Sequence, residues 1–154
     1  MKSDAIKELE TLAITDNRKA HPTLPDYARC IRKYSDKTAN GLTTCIIDFL
    51  RFKGWQAERI NCTGRYQDNT KVVEDVTGFS RRIGSAQWLP TSGQKGTADI
   101  SATIKGKSVK IEVKMKDRQS EAQKEYQRQV EQAGGLYWLV RSFDEFMSFY
   151  NSLM

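Results

Sequence analysis

The sequence has few of the residues that most often bind metals or cross-link secreted proteins. It contains one histidine, three prolines and three cysteines among 154 residues. Cys30, Cys45 and Cys62 are an odd number at wide spacing, which indicates neither a disulfide framework nor a C-x-x-C zinc site, so we expect small buried thiols. His21 precedes Pro22 in a polar stretch, and we expect it to face solvent. These absences argue against histidine-driven catalysis.

The sequence also lacks a long apolar run. No run approaches the roughly 20 residues that cross a bilayer, and the start of the chain lacks the apolar segment of a signal peptide. We therefore expect a cytoplasmic protein without membrane contact. The formal net charge of +6 suits a polyanion bound through phosphate contacts, although acidic lipid headgroups would also fit. The length and the 38% hydrophobic content predict a single domain over residues 1–154.

Apolar residues at helical spacing predict three helices in the first third of the chain. The first follows Ser3, the second covers Tyr27 to Tyr34, and the third runs from about Ala39 to Lys53. A glycine directly after the third helix is typical of a helix C-terminus.

The middle of the chain predicts short strands. One covers Trp55 to Asn61, and the polar, glycine-punctuated stretch from Gly64 to Gly96 has candidates around Val72 to Val76 and Ala86 to Leu89.

The last third predicts a β-hairpin, a helix, a strand and a helix. Alternation from Asp99 to Met115 indicates the hairpin, a helix from Ser120 to about Ala133 follows, and Leu136 to Val140 is a buried strand before a helix capped by Ser142. Strand, helix and strand over residues 108–140 indicate a crossover to a parallel strand. We therefore predict an α/β fold with a mixed central β-sheet flanked by helices.

The hairpin carries a polar constellation. With a period of two, Asp99 lies on the polar face of its strand, and Glu112 and Lys114 lie together on the face opposite Val113. Two carboxylates supply the hard oxygen ligands of Mg²⁺, which activates water for phosphodiester hydrolysis, and the lysine can orient that water. An Asp followed by Glu-x-Lys is, however, also typical of salt-bridged residues on an exposed strand.

Residues from about 39 to 146 resemble the VRR-NUC family of the PD-(D/E)XK nuclease superfamily, whose small stand-alone members occur in phages and bacteria. The similarity is an ordered series of short motifs. They are Phe52-Lys53-Gly54-Trp55, Arg59-Ile60-Asn61 with Gly64, Gly96-Thr97-Ala98-Asp99, Ile111-Glu112-Val113-Lys114, Ser120 with Gln123, and Ala133-Gly134-Gly135. The resemblance implies a restriction-endonuclease-like core over residues 39–146, a helical extension over 1–38 and a C-terminal helix over 142–154.

The resemblance also implies the chemistry. Asp99, Glu112 and the carbonyl of Val113 would bind Mg²⁺, for which Mn²⁺ would substitute, while Lys114 would be catalytic and Gln123 would border the site. The implied activity is a metal-dependent deoxyribonuclease. Branched DNA such as a Holliday junction, cut by a homodimer, is the most specific substrate that the resemblance implies.

Six basic residues are candidate DNA contacts, although charge runs are also typical of solvated faces. They are Arg59, Arg81, Arg82, Lys95, Lys116 and Arg118. Trp88 either stacks on an unpaired base or, as we expect, packs within the protein.

One departure from the family pattern concerns the first core helix, which often begins with a glutamate. Here the stretch Thr38-Ala39-Asn40-Gly41 has no acid. We expect Asp48, farther along, to be a solvated surface residue, and Asp36 substitutes only if the helix begins earlier. Without a replacement, the site holds one metal ion or takes a ligand from a second subunit. Two alternatives stay open: a non-catalytic nucleic-acid-binding module with a degenerate site, and a nuclease acting on flaps, ends or ordinary duplex.

Overall fold

The computed structural model describes residues 2–61, 64–91 and 93–154, so Cys62 lies outside the described residues. Its backbone contacts divide the chain into two units. The larger unit comprises Met1–Ile60 and Gly96–Met154, and the smaller comprises Asn61–Lys95. The single domain over residues 1–154 stays a prediction.

Four α-helices belong to the larger unit, and each is preceded by a Ser or Thr whose side chain accepts a hydrogen bond from the first turn. They are α1 (Asp4–Ala20) after Ser3, α2 (Ala39–Phe52) after Thr38, α3 (Glu121–Gln132) after Ser120 and α4 (Phe143–Leu153) after Ser142. These are four of the five helices that the sequence predicts.

The predicted helix over Tyr27 to Tyr34 is wrong. The structure has a single 3₁₀ turn at Asp26–Ala28, and the chain then continues without helix to the cap of α2. Tertiary contacts account for the difference. Arg29 donates to the carbonyls of Asn17 and His21, and the buried ring of Tyr34 packs in the core. Long-range packing therefore overrides a weak local helical pattern.

The described residues form eight strands, named here in chain order. They are β1 (Gln56–Arg59), β2 (Arg65–Asp68), β3 (Lys71–Glu74), β4 (Ser80–Ile83), β5 (Ala86–Leu89), β6 (Ile100–Ile104), β7 (Lys107–Val113) and β8 (Leu136–Val140). In the larger unit a four-stranded sheet has the order β1-β6-β7-β8. The pairs β1–β6 and β6–β7 are antiparallel, while β8 is parallel to β7 after the crossover through α3. The predicted α/β fold with a mixed sheet, its hairpin and its parallel return are confirmed.

One face of this sheet is apolar and forms the core with α1, α2 and α4. The alternate residues of each strand supply it, and the buried members are Ala57, Ile100, Ala102, Ile104, Val109, Ile111, Val113, Trp138 and Val140. Phe49 of α2 meets the rings of Phe143, Phe146 and Tyr150 edge to face, with centroids 5.8, 5.7 and 5.1 Å away. Such aromatic pairs hold the two helices against each other.

The other face of the sheet is polar and lies beneath α3. No described residue of α3 is fully buried. The helix contacts the sheet through polar and aromatic side chains, and Tyr126 meets Tyr137 of β8 with ring centroids 6.3 Å apart. The candidate site residues of the hairpin therefore lie on the face that α3 partly covers.

The smaller unit is an antiparallel β-ribbon. Strands β2 and β5 pair with Arg65 opposite Leu89, and β3 and β4 pair with Lys71 opposite Ile83, so both pairs share one register. Between them the backbone N–H of Asn69 donates to the carbonyl of Ser85 at 3.1 Å. Residues 65–74 thus run beside residues 80–89 as one two-stranded ribbon.

A side-chain-bonded turn closes the ribbon. The Asp75 carboxylate accepts hydrogen bonds from the backbone N–H groups of Thr77 and Phe79. The sequence predicts β3 and β5 but not β2 and β4, because Arg65-Tyr66-Gln67-Asp68 and Ser80-Arg81-Arg82-Ile83 lack an apolar alternation.

Within the described residues, no helix has the length and apolar character required to cross a membrane.

Candidate active site

The register of the hairpin brings Asp99 and Glu112 to the same face. Strand β6 pairs with β7 through Ile100 opposite Ile111 and Ser101 opposite Lys110, and the next position of that register sets Asp99 across from Glu112. Directly opposite residues of antiparallel strands project to the same side. The neighbouring pair confirms the orientation, because Lys110 Nζ donates to Ser101 Oγ at 2.6 Å.

Asp99 is held at the end of the sheet by two hydrogen bonds. Strand β6 begins only at Ile100, so the backbone N–H of Val113 has no backbone acceptor on that side and donates instead to Asp99 Oδ2 at 3.0 Å. The carbonyl of Asp99 accepts from the backbone N–H of Ile60 at 2.8 Å. Asp99 therefore lies where the pairing of β6 with β7 ends, and its carboxylate is held beside β7.

Glu112 is a buried acid, with 2% of its surface exposed. Its Oε1 accepts from Gln123 Nε2 and lies 3.2 Å from Lys114 Nζ. Its Oε2 is buried and has no hydrogen-bond partner among the described residues. An unpaired buried carboxylate oxygen costs free energy, so its presence at this place calls for a functional explanation.

Burial and the nearby Asp99 carboxylate raise the pKa of Glu112 above its ordinary value of 4.5, and the contact with Lys114 opposes that shift. The side chain of Lys114 is itself largely buried, with 17% of its surface exposed. Lys114 follows Glu112 by two residues and so lies on the same face, while its backbone N–H donates to the carbonyl of Val140. The ammonium is thereby confined beside the buried acid.

Gln123 joins α3 to Glu112. In a capping box, Ser120 Oγ accepts from the backbone N–H of Gln123, and Gln123 Oε1 accepts from the backbone N–H of Ser120 at 2.9 Å. The amide oxygen is thus used by the cap, and the amide N–H remains to donate to Glu112. The cap fixes which end of the amide faces the acid.

Gly96 allows α3 to approach the segment that leads into Asp99. Its φ is +83°, and a Cβ at this position would lie 2.3 Å from the carbonyl oxygen of Ala122 and 2.8 Å from the backbone nitrogen of Gln123. Only glycine fits so close to another backbone. The lack of a side chain at Gly96 thus allows α3, which carries Gln123, to lie close to the segment before Asp99.

Tyr137 is a site residue that the sequence analysis missed. It lies on β8 opposite Lys110, and its hydroxyl accepts a hydrogen bond from Gln119 Nε2 at 3.4 Å. Burial and the Glu112 charge raise the pKa of Tyr137, so it stays protonated. The period of two was the available signal, because it sets Tyr137 on the face opposite Trp138 within an apolar run.

No third acid completes the constellation among the described residues. Asp36 accepts from the backbone N–H of Phe143 at 3.0 Å, and Asp48 accepts from the Tyr34 hydroxyl at 3.0 Å and from Arg32 at 2.9 Å. Asp48 is thus half-buried and paired, rather than solvated as expected. Among all the described residues, no group of three or more His, Cys, Asp or Glu residues is placed to hold a metal ion.

In the stretch Thr38-Ala39-Asn40-Gly41, where a glutamate was expected, Asn40 Oδ1 accepts from the Arg59 guanidinium at 2.8 Å. Arg59 is therefore tied to the start of α2 and not to Glu112 or Asp99. Lys116 and Arg118 are exposed on the loop between β7 and α3.

Three of the predicted DNA contacts belong to the smaller unit. Arg81 and Arg82 lie on β4, Lys95 follows β5, and all three are exposed. Trp88 is 61% exposed, but its indole lies against Gly64, where an added Cβ would be 2.5 Å from Trp88 Nε1. The expectation that Trp88 packs within the protein is therefore wrong for most of its surface and holds only for the edge against Gly64.

The expectation of buried thiols is correct for Cys45 and wrong for Cys30, which is exposed in the non-helical segment that follows Ala28. His21 is exposed, as expected.

Comparison with models of known protein families, with curated proteins and with solved structures found no match.

Proposed function

We propose that this protein is a Mg²⁺-dependent DNA endonuclease whose active site is formed by Asp99, Glu112 and Lys114. The observation that carries the proposal is the buried Glu112 carboxylate. One of its oxygens has no partner among the described residues, while an aspartate lies opposite in the strand register and a confined lysine contacts the other oxygen. A buried, partly unpaired acid beside a second acid is an arrangement typical of catalytic and metal-binding sites.

The order of elements supports a restriction-endonuclease-like core. Helix α2 is followed by β1, β6 and β7 as an antiparallel run, then by α3 and the parallel strand β8, with the ribbon inserted between β1 and β6. The proposed site lies at one end of the two central strands. The helical extension over residues 1–38 is α1 with a non-helical segment.

The donor set fits a divalent metal ion. Asp99 and Glu112 would supply one carboxylate oxygen each, and the carbonyl of Val113 a third hard ligand. Mg²⁺ commonly takes only one or two protein carboxylates and keeps water and substrate phosphate as its other ligands, so a third acid is not required. When bound, the ion lowers the pKa of a coordinated water and offsets charge on the phosphoryl oxygens.

The other side chains have separate tasks in this proposal. Lys114 Nζ donates hydrogen bonds toward the phosphate and offsets the negative charge that develops there. Gln123 holds Glu112 Oε1 in place through its amide, so that Oε2 is directed to the ion. Tyr137, whose raised pKa keeps it protonated, adds no negative charge beside the carboxylate.

Branched DNA cut by a homodimer remains the most specific version of this function, since symmetric incision of a junction requires two sites. A flap or duplex nuclease uses the same chemistry. A non-catalytic binding module is the alternative of a different class, and the lack of a third acid among the described residues is the observation that favours it.

The test is cleavage of labelled junction, flap, duplex and single-stranded DNA in the presence of Mg²⁺, Mn²⁺ or EDTA. The proposal expects metal-dependent products from the native chain and none from Asp99→Ala or Lys114→Ala. Preference for the junction supports the branched substrate. Binding of all four DNAs without metal-dependent products would replace the proposal with the binding module.

A further inference from the structure

The β-ribbon of the smaller unit separates its charges between two faces. Residues at odd positions share one side and residues at even positions the other, because every paired position in the common register has the same parity. We call the odd side the basic face. Its members are Arg65, Gln67, Asn69, Lys71, Val73, Arg81, Ile83, Ser85, Gln87 and Leu89.

The basic face has three cations, and the one acid in its register, Asp75 at the turn, is occupied by hydrogen bonds from the backbone N–H groups of Thr77 and Phe79. Arg65, Lys71 and Arg81 are all exposed, and none of the three forms an ion pair with another described residue. Lys71 and Arg81 are diagonal neighbours across the strands, because Lys71 pairs with Ile83 and Val73 with Arg81. Its other polar members are amides and a hydroxyl, which donate as well as accept hydrogen bonds.

The even side, which we call the aromatic face, has a different character. Tyr66 lies directly opposite Trp88, and the only cation, Arg82, is 3.7 Å from Asp68. Glu74 is a second acid on this side. The ribbon cations without an ion pair to another described residue therefore all lie on one face. A run of charges that is only solvated does not require such a separation.

We infer that the basic face binds the phosphate backbone of double-stranded DNA, with the ribbon lying along a groove. This inference rests on the proposed function, since it names a surface that binds the duplex substrate. A strand of ten residues extends about 33 Å, close to one turn of B-form DNA, and a two-stranded ribbon fits a major groove about 12 Å wide.

The placement of cations and aromatic rings on opposite faces of the ribbon also favours double-stranded over single-stranded nucleic acid. Proteins that bind single strands combine cations with aromatic side chains on which bases stack. Here the exposed aromatic pair lies on the side away from Arg65, Lys71 and Arg81. A single strand lying on one face of the ribbon could not contact both sets, whereas a duplex requires only the cations and amides.

The test is the affinity for a 40-base-pair duplex, measured by fluorescence anisotropy in EDTA over a range of salt concentrations. The variant combines Arg65→Gln, Lys71→Gln and Arg81→Gln, and we expect its affinity to fall about tenfold to a hundredfold and its salt slope by about 3. The matched control combines Lys7→Gln, Lys19→Gln and Arg128→Gln, which are exposed residues of α1 and α3 with the same total charge. It should change affinity by no more than about twofold.

Three results with DNA would overturn the inference. They are equal losses in both triple variants, no loss in the ribbon variant, and a single-strand preference that Trp88→Ala abolishes. Binding of polyglutamate as tightly as DNA would also overturn it, in favour of an acidic protein partner.

Hydrolysis of bis(4-nitrophenyl) phosphate in Mg²⁺ or Mn²⁺ separates this inference from the proposed function, because so small a phosphodiester requires only the active site. If the ribbon variant loses duplex affinity but the native chain does not hydrolyse the small phosphodiester, the basic face binds DNA and the proposed nuclease function is wrong. If the native chain hydrolyses it but the ribbon variant keeps its duplex affinity, the nuclease function stands and the inference about the basic face is wrong.

Discussion

Gln123 on α3 donates its side-chain amide N–H to Oε1 of Glu112, although its own amide oxygen is already used by the backbone N–H of Ser120. This single side chain thus links a helix N-terminus to a buried acid on the central strand. Because the cap fixes the orientation of the amide, the helix and the acid hold each other in place.

Replacing Gln123 with alanine therefore removes two interactions at once. We expect Gln123→Ala to lower metal-dependent cleavage about tenfold to a hundredfold, as is typical when a group that orients a ligand is lost. We also expect it to reduce the free energy of unfolding by about 1 kcal/mol through the weakened cap. Cleavage rates and urea unfolding measure the two effects.

Gln132→Ala is the control, because Gln132 is an exposed residue at the other end of α3. A Gln123→Ala enzyme as active as the Gln132→Ala enzyme would show that the amide has no part in positioning Glu112.

Glu112 is expected to lower stability at neutral pH, because its pKa is raised by burial and by Asp99. The folded protein then holds this proton more tightly than the unfolded chain does. Ionising Glu112 in the folded state therefore costs stability as the pH rises from the ordinary pKa of 4.5 through the raised value, and the cost persists above it.

Glu112→Gln removes that cost. We expect its melting temperature to exceed that of the native chain at pH 8, with the difference shrinking as the pH falls toward 4.5. Thermal unfolding at a series of pH values measures it. A constant difference over the whole range would mean that the carboxyl does not titrate abnormally.

Gly96→Ala should damage the site by displacing α3. The left-handed conformation costs an L-residue about 1 to 2 kcal/mol, and the clash with the Ala122 carbonyl adds about 1 to 3 kcal/mol because backbone atoms cannot easily move. Gly54→Ala is a close control, since Gly54 has a φ of +84° but no atom within 4 Å of its added Cβ. The account expects Gly96→Ala to be the less stable and less active variant in chemical unfolding and cleavage assays. Equal stability of the two would contradict the close packing of α3.

Mg²⁺ should stabilise the folded chain. An ion that binds only the native state adds about 2.7 kcal/mol at about 100 times its dissociation constant, which raises the melting temperature. Asp99→Asn should abolish this shift, while Asp16→Asn, at an exposed position of α1, should retain it. A shift of the same size in both variants would assign the ion to another place.

The architecture follows from the sequence wherever local signals are strong. The caps at Ser3, Ser120 and Ser142, the helical spacing of apolar residues in α2 and the alternation in β6 and β7 reveal four helices and the hairpin, because each signal acts within a few residues. The helix predicted over Tyr27 to Tyr34 is wrong for the opposite reason. The conformation of that segment depends on contacts of Arg29 and Tyr34 with α1 and α2, which no local pattern reveals.

The candidate site likewise has features that local patterns predict and features that depend on long-range packing. Alternation alone predicts that Asp99, Glu112 and Lys114 share a face, and the register agrees. The burial of Glu112, the hydroxyl of Tyr137 beneath α3 and the charge separation of the ribbon depend on which elements pack together and in which register. Such long-range relationships become visible only in three dimensions.

The rate of phosphodiester cleavage in duplex or junction DNA at saturating Mg²⁺, compared between the native chain, Asp99→Asn and Asp16→Asn, tests the central claim most directly. The account predicts that EDTA stops the native reaction, that Asp99→Asn is slower by a factor of about 100 or more, and that Asp16→Asn cleaves at the native rate. Cleavage by Asp99→Asn at the native rate, or native cleavage that continues in EDTA, would contradict it.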